Sequence, residues 1–527
     1  MAAGAIDRVF EKRLAALVNA RVPGAVQGGL RGLEKETLRV TPAGRIARTS
    51  HPESIGSALC HPYITTDYSE ALLELVTPAL GDNDALLTTL RELEAFVYPQ
   101  LGEELLWCAS MPCELAGDDD VPVAHYGRSH EGHFKEVYRR GLLNRYGGMM
   151  QAIAGVHFNY SLPAQFWPVW ADVLQVRTAD AAFVSARYFE LLRNFRRHGW
   201  LVSWLFGASP ALCRSFAPAA SGLARHGAAT LYGPYSTSLR MSDLGYRNRN
   251  QAAVQVSVNS LEEYLRDLLH AVHTPHPPYE RIGVCVNGEY RQLSANILQI
   301  ENEYYSAIRP KRAPRSGELT AQALRRGGVE YIEVRALDLD MDAPDSVSAV
   351  QLDFMEALLV LLLMKASPPL SHDDQAASDA NQLQVSREGR APGLQLQREG
   401  RACGLQEWVG TLLEELTGVC ELLDAGRATP RFARALQAQR DKLSQPQLLP
   451  AARLQHELLE QSEEFSAQAL RRSRAHRATL LATPLAPAVL ERLQAQARES
   501  VEMQRRADRE MRGSFADYLR QRLAAPR

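Results

Sequence analysis

The segment Gly32-Leu33-Glu34-Lys35-Glu36-Thr37-Leu38-Arg39-Val40 constrains the fold more than any other stretch of this chain. Read as a β-strand, its period-two alternation puts Glu34, Glu36, Leu38 and Val40 on one face and Leu33, Lys35, Thr37 and Arg39 on the other. Two carboxylates then share a face with two aliphatic residues. Turned inward, that face needs a compensating cation, and for acidic oxygen ligands the usual one is a hard divalent ion such as Mg²⁺. Turned outward, the same strand is a solvated edge whose glutamates face water.

At 527 residues the chain is long enough for several domains or one large core, and its 46% hydrophobic and 23% charged residues are an ordinary globular balance. A formal net charge of −2 argues against a nucleic-acid binder, whose domain would be strongly basic. Met1 to Arg21 has no long apolar stretch of the secretory kind, and the strongest apolar run, Ala357 to Met364, falls far short of the roughly 20 residues a membrane span needs. Seven cysteines without a CxxC pair indicate neither a zinc site nor a disulfide framework, and fit a reducing compartment. The expectation is a soluble cytoplasmic protein, monomeric, with no membrane or nucleic-acid partner.

Taken in order, residues 5–20 and 82–100 have the apolar spacing of amphipathic helices, the second through Leu86, Leu90, Leu93 and Val97. Between them, Ile64 to Pro78 is β-rich and carries Asp67, Glu70 and Glu74. As one strand it would send Asp67 and Glu74 to opposite faces, so a bulge or break near Tyr68 is required to unite them. Leu106 to Pro112 reads as a strand and Phe134 to Asn144 as a helix bearing Tyr138, Arg139 and Arg140. Gly155-Val156-His157-Phe158-Asn159-Tyr160-Ser161 alternates, with His157, Asn159 and Ser161 on one face. A single long helix is expected from about Ala179 to Phe206, and Thr237 to Tyr246 has the composition of a binding loop. Asn296 to Glu303 alternates, and Ile308-Arg309-Pro310-Lys311-Arg312 is a basic cluster suited to phosphate. In Val329 to Arg335, Tyr331, Glu333 and Arg335 share a face, which sets a carboxylate beside a guanidinium as a Mg²⁺-nucleotide site requires; a cross-strand ion pair would look the same. Beyond about Pro368 the chain changes character. Asp373 to Gln384 reads as polar and flexible, Arg387 to Gln395 is nearly repeated at Arg398 to Gln406, and the remainder is helical.

Inward strand faces thus collect Glu34, Glu36, Asp67, Glu74, His157 and Glu333 against Arg240, Arg309, Lys311 and Arg335. Six hard-metal ligands with several cations suggest more than one Mg²⁺ or Mn²⁺ holding a polyphosphate. No G-x-x-x-x-G-K-[ST] loop, G-x-G-x-x-G turn or G-x-S-x-G elbow occurs, so P-loop, Rossmann and covalent-hydrolase sites are disfavoured.

The motifs at 32–40, His51-Pro52-Glu53, 64–74, 155–161, 237–246 and 330–335, in that order, resemble the bacterial (type 1) glutamate–cysteine ligases, also called γ-glutamylcysteine synthetases. The resemblance implies an α+β fold similar to glutamine synthetase, in which a curved antiparallel sheet cradles the active site and helices pack outside. It spans roughly residues 28–345, so a catalytic core over 1–370 and a mostly helical region over 371–527 are expected. It implies ATP as co-substrate with Mg²⁺ or Mn²⁺, and ligation of the L-glutamate γ-carboxylate to the L-cysteine amine. Metal ligands would be the six residues above. Arg335 would meet the transferring phosphoryl group beside Glu333, Arg309 and Lys311 would contact nucleotide phosphates, and Tyr138, Arg139, Arg240 and Tyr246 would contact substrate. A related carboxylate–amine ligase with another acceptor, or a non-catalytic nucleotide binder, are the competing readings.

Overall fold

In the computed structural model, which describes residues 7–20, 23–217, 221–245, 254–315 and 317–524, the acidic segment is a strand at the centre of a sheet. The strands are β1 (Leu30–Val40), β2 (Ile64–Thr66), β3 (Leu72–Val76), β4 (Leu105–Leu106), β5 (Val156–Ser161), β6 (Ile308–Lys311) and β7 (Tyr331–Leu337). Their order is β6-β7-β5-β1-β3-β2, with β4 on the Arg39–Val40 end of β1, and every pairing is antiparallel. Flanked by β5 and β3, β1 is not an edge, which removes the solvated-edge reading of its glutamates. The register sets Glu34 opposite His157, Glu36 opposite Glu74, and Glu333 opposite both Asn159 and Arg309.

Helices cover the other face. They include α1 (Asn83–Val97), α3 (Ala181–His198) and α4 (Ala349–Met364), while α2 (His130–Tyr146) stands by the acidic face. In α1 the predicted stripe of Leu86, Leu90, Leu93 and Val97 is buried, and Asp82 caps the helix by accepting from the amides of Asp84 and Ala85. Helix α4 is apolar all round because it is enclosed on all sides, packing against α1 and α3 and against later helices. Three cations on the covered face of β1 are neutralised from outside the sheet: Arg31 pairs with Glu356 of α4, Lys35 with Glu94 of α1, and Arg39 with Glu104 at 2.8 Å.

Four expectations are corrected. The long helix breaks at Gly199, giving α3 and Trp200–Phe206; a Cβ there would sit 2.6 Å from the Phe195 carbonyl oxygen. Leu106 to Pro112 contributes only the end of β4, and Asn296 to Glu303 forms no strand but ends in a short 3₁₀ turn, because its alternating polar side chains are held by buried hydrogen bonds and not by a ladder. Asp373 to Gln384 lies within helix His372–Glu388, where Asn381 and Gln382 bond to the Gln397 carbonyl and to Ser203. The near-repeat takes two conformations: its first copy ends that helix, while its second supplies part of the hairpin Gln395–Arg398/Arg401–Gly404.

The C-terminal half continues the same core. Helices α5 (Leu405–Asp424) and α6 (Arg431–Ser444) pack on α4, and buried Lys365 donates to both carboxylate oxygens of Glu415 at 2.6 Å. Later come α7 (Pro487–Glu510) and α8 (Phe515–Leu523). No helix among the described residues is long and apolar enough to cross a membrane.

Candidate active site

Antiparallel register alone delivers the acidic cluster, since opposed residues on one face lie within side-chain reach. His157 Nδ1 is 3.0 Å from Glu34 Oε2 and 3.5 Å from Glu333 Oε1, and its Nε2 is 3.4 Å from Glu36 Oε1. The Asn159 amide donates to Glu34 at 2.8 Å, and the backbone amide of Gly155 donates to Glu36 at the same distance. Arg335 reaches Glu333 at 2.8 Å and Lys311 reaches it at 3.1 Å.

Asp67 and Glu74 come together through a break and not a bulge. The chain turns between Thr66 and Leu72, so β2 and β3 form a hairpin that sets Thr65 opposite Glu74, and Asp67 has the parity of Thr65. The turn is fixed by Arg139 and Tyr126, which both donate to the Asp67 carbonyl.

The charges divide into two ends. Burial, reinforced by Glu34, Asp67 and Glu36, pushes Glu74 well above the ordinary carboxylate range, and burial also raises Glu36 against the pull of His157. Burial and Glu333 oppose ionisation of Glu34, yet its bond to His157 and the charge of Lys311 hold it below its usual value. Glu333, although buried, is held well below by Lys311, Arg335 and His157. One end is therefore a carboxylate excess and the other is cationic. A polyphosphate with divalent ions has the complementary distribution.

Ligand atoms of Glu34, Glu74 and His157 all lie within 4.8 Å of one another, close enough for one ion. Asn159 Oδ1 is buried with no hydrogen-bond partner among the described residues. A surplus of buried carboxylates beside an orphaned acceptor fits a hard cation.

Next to this cluster is a cleft of about 130 Å³ whose lining includes Glu36, Asp67, Tyr138, Arg139, Arg309 and Arg335. Tyr68, Leu142, Tyr146, Met150, Gln151 and Tyr305 complete much of its wall, and none of them stood out in the sequence. Leu142 and Tyr146 follow Tyr138 at four-residue steps along α2, so one face of that helix was legible; Tyr305, in a loop, had no signal.

Arg240 takes another position. Its side chain is fully buried, donates to the Arg335 carbonyl at 3.0 Å, and lies 3.7 Å from Asp338. Asp338 in turn accepts from Ser209 and Ser238, which fixes the turn carrying Arg240. Gly155 leaves room for it, since a Cβ would sit 2.0 Å from the guanidinium and displace it. Tyr246 lies outside the described residues.

The family model for glutamate-cysteine ligase matches residues 14–385. The glutamate–cysteine ligase of Azotobacter vinelandii is 46% identical over 522 residues, covering 98% of each chain, and that of Alcanivorax borkumensis is 43% identical over 516 residues, covering 97% of this chain and 98% of the other. Among solved structures, Francisella tularensis glutamate–cysteine ligase in complex with AMP superposes with a TM-score of 0.89 at 33% identity, covering 94% of this chain and 98% of that one. A bifunctional glutathione synthetase from Pasteurella multocida shares the fold, with a TM-score of 0.73 at 23% identity over 92% of this chain and 58% of its own. On the extent of these matches and the order of the motifs along the sheet, this chain belongs to the glutamate–cysteine ligase family.

Proposed function

We propose that the protein joins the γ-carboxylate of L-glutamate to the amine of L-cysteine at the expense of ATP, giving γ-glutamylcysteine, ADP and phosphate, the first step of glutathione synthesis. The observation that carries the reading is a sheet face with a carboxylate excess at one end and a Lys311–Arg335 cationic end at the other. A free carboxylate is a poor acylating agent, so phosphoryl transfer from ATP first makes a γ-glutamyl phosphate, which the amine attacks with loss of phosphate. Such a transfer asks the protein for position and charge, and no side-chain nucleophile is needed.

Glu34, Glu36, Asp67, Glu74, His157 and Glu333 would hold Mg²⁺ or Mn²⁺, which when bound neutralises phosphate charge. Arg335 faces the transferring phosphoryl group, with Arg309 and Lys311 on the remaining phosphate oxygens. Tyr138 and Arg139 form the amino-acid side of the cleft. The assignment of Arg240 to the acceptor α-carboxylate, with Tyr138 and Tyr246 walling the small side chain, requires Arg240 to exchange its bond to the Arg335 carbonyl for one to substrate, which couples acceptor binding to the strand that carries Arg335. Every residue in this scheme lies within 1–370, with residues 371–527 as a buttress.

The test is ATP hydrolysis measured with glutamate and a panel of amines. Dependence on cysteine is expected; preference for a different amine would replace cysteine ligation with a related carboxylate–amine ligase activity, and hydrolysis indifferent to any amine would overturn both.

A further inference from the structure

The C-terminal helices reach back to the wall of the cleft. Helix α2 presents Tyr138, Arg139, Leu142 and Tyr146 to the cleft, and its N-terminal turns are held by α7 and α8. Asp508, near the end of α7, accepts from the amides of Arg128 and Ser129 at 2.9 and 2.7 Å, and Ser129 caps α2 by accepting from Gly132. The carboxylate thus sits at the positive end of the α2 dipole, where an anion is favoured. From α8, Tyr518 bonds to Glu131 and stacks on His130 at 5.3 Å. Leu519 joins Phe134 and Val137 in a small apolar cluster separate from the main core, and Tyr138 packs against that cluster as well as lining the cleft.

We infer that Asp508 and Tyr518 are positioning residues for the amino-acid side of the cleft, acting through the placement of α2 and hence of Tyr138 and Arg139. The inference rests on the proposed reading of that wall as acceptor-binding. Among the described residues no hydrogen bond or ion pair joins α8 directly to Lys311, Glu333 or Arg335, so a shift of α2 reaches the phosphate end chiefly through the bond of Arg139 to the Asp67 carbonyl.

The experiment uses full-length protein carrying Asp508→Ala with Tyr518→Phe, and Arg505→Gln as a control that breaks only the exposed pairs of Arg505 with Glu53 and with Glu502 of α7. The double variant is expected to raise the KM for cysteine about tenfold, the equivalent of one lost charge-assisted hydrogen bond. Its kcat at saturation and its KM for ATP should change much less than the cysteine KM, and amide hydrogen exchange should accelerate within residues 130–146. The control should change none of these. Faster exchange without a selective rise in the cysteine KM overturns the positioning role, and unchanged exchange overturns the clamp. Wild-type turnover that does not require cysteine would fault the functional reading instead, and the exchange result would still decide whether the clamp exists.

Discussion

The two faces of β1 carry charge at similar spacing and use it in opposite ways. On the covered face, Arg31, Lys35 and Arg39 each meet one carboxylate from outside the sheet. On the other face, Glu34 and Glu36 crowd against Glu74 and Glu333, with His157 wedged among them. The covered face shows that this fold can neutralise a buried charge one for one. That it does not do so on the acidic face marks that face as a site for a ligand, because an uncompensated carboxylate cluster only costs the protein stability.

The comparison breaks if substitutions on the two faces have similar consequences. The largest effect is expected on the acidic face: Glu333→Gln or Glu34→Gln should leave the protein folded, with some loss of stability because the ionised carboxylates answer Lys311, Arg335 and His157, while lowering the ligation rate by about a thousandfold, as loss of a main electrostatic contact does. Steady-state assays with ATP, glutamate and cysteine, alongside thermal unfolding, measure this; full activity at low Mg²⁺ would remove the residue from the metal set. On the covered face, Glu356→Gln strands Arg31 in the core and should cost about 3–5 kcal/mol in urea denaturation with turnover of the folded protein preserved. Combining Arg31→Met with Glu356→Leu should recover most of that loss, since an apolar pair replaces a buried ionic one at little net cost.

Smaller effects sharpen the division of the acidic face itself. Arg335→Lys keeps the charge and loses the planar fork, so turnover should fall about a hundredfold with little change in the cysteine KM. At the amino-acid end, 2-aminobutyrate should replace cysteine with efficiency reduced by about 1–3 kcal/mol, the range a methyl-for-thiol change in a shape-read pocket allows. Arg240→Ala should raise the amine KM more than that for ATP; equal shifts would show that its bond to the Arg335 carbonyl supports the whole site.

Much of the sheet was legible in the sequence because its period-two pattern is strong and register is a consequence of pairing. Alternation at 32–40, 156–161 and 331–335 predicted which residues would share a face. What alternation could not supply was the turn between Thr66 and Leu72, fixed from a distance by Arg139 and Tyr126. It also misread Asn296 to Glu303, where Glu303 pairs with buried Arg145 and Gln299 bonds to the Tyr138 carbonyl. The burial of Arg240 was invisible for the same reason: Asp338, about a hundred positions away in the chain, has no local signature. Helix His372–Glu388 looked flexible because Asp379, Asn381 and Gln382 bond to other segments of the chain, a role composition does not reveal.

The state of Glu74 offers a direct test. Its carboxyl is raised, so as pH climbs from the ordinary carboxylate range through that raised value, the unfolded chain loses its proton first and the metal-free protein loses stability. A divalent cation should reverse this, since it binds the ionised form, and protons should compete with it. Calorimetric titration of Mn²⁺ into wild type, Glu74→Gln and Glu104→Gln at about pH 6 and pH 8 reads the claim without the reaction. The account predicts tighter binding at the higher pH in wild type and in Glu104→Gln on the covered face, and binding weakened by at least about tenfold in Glu74→Gln, as loss of one ligand implies. Equal affinity in wild type and Glu74→Gln at both pH values would contradict it.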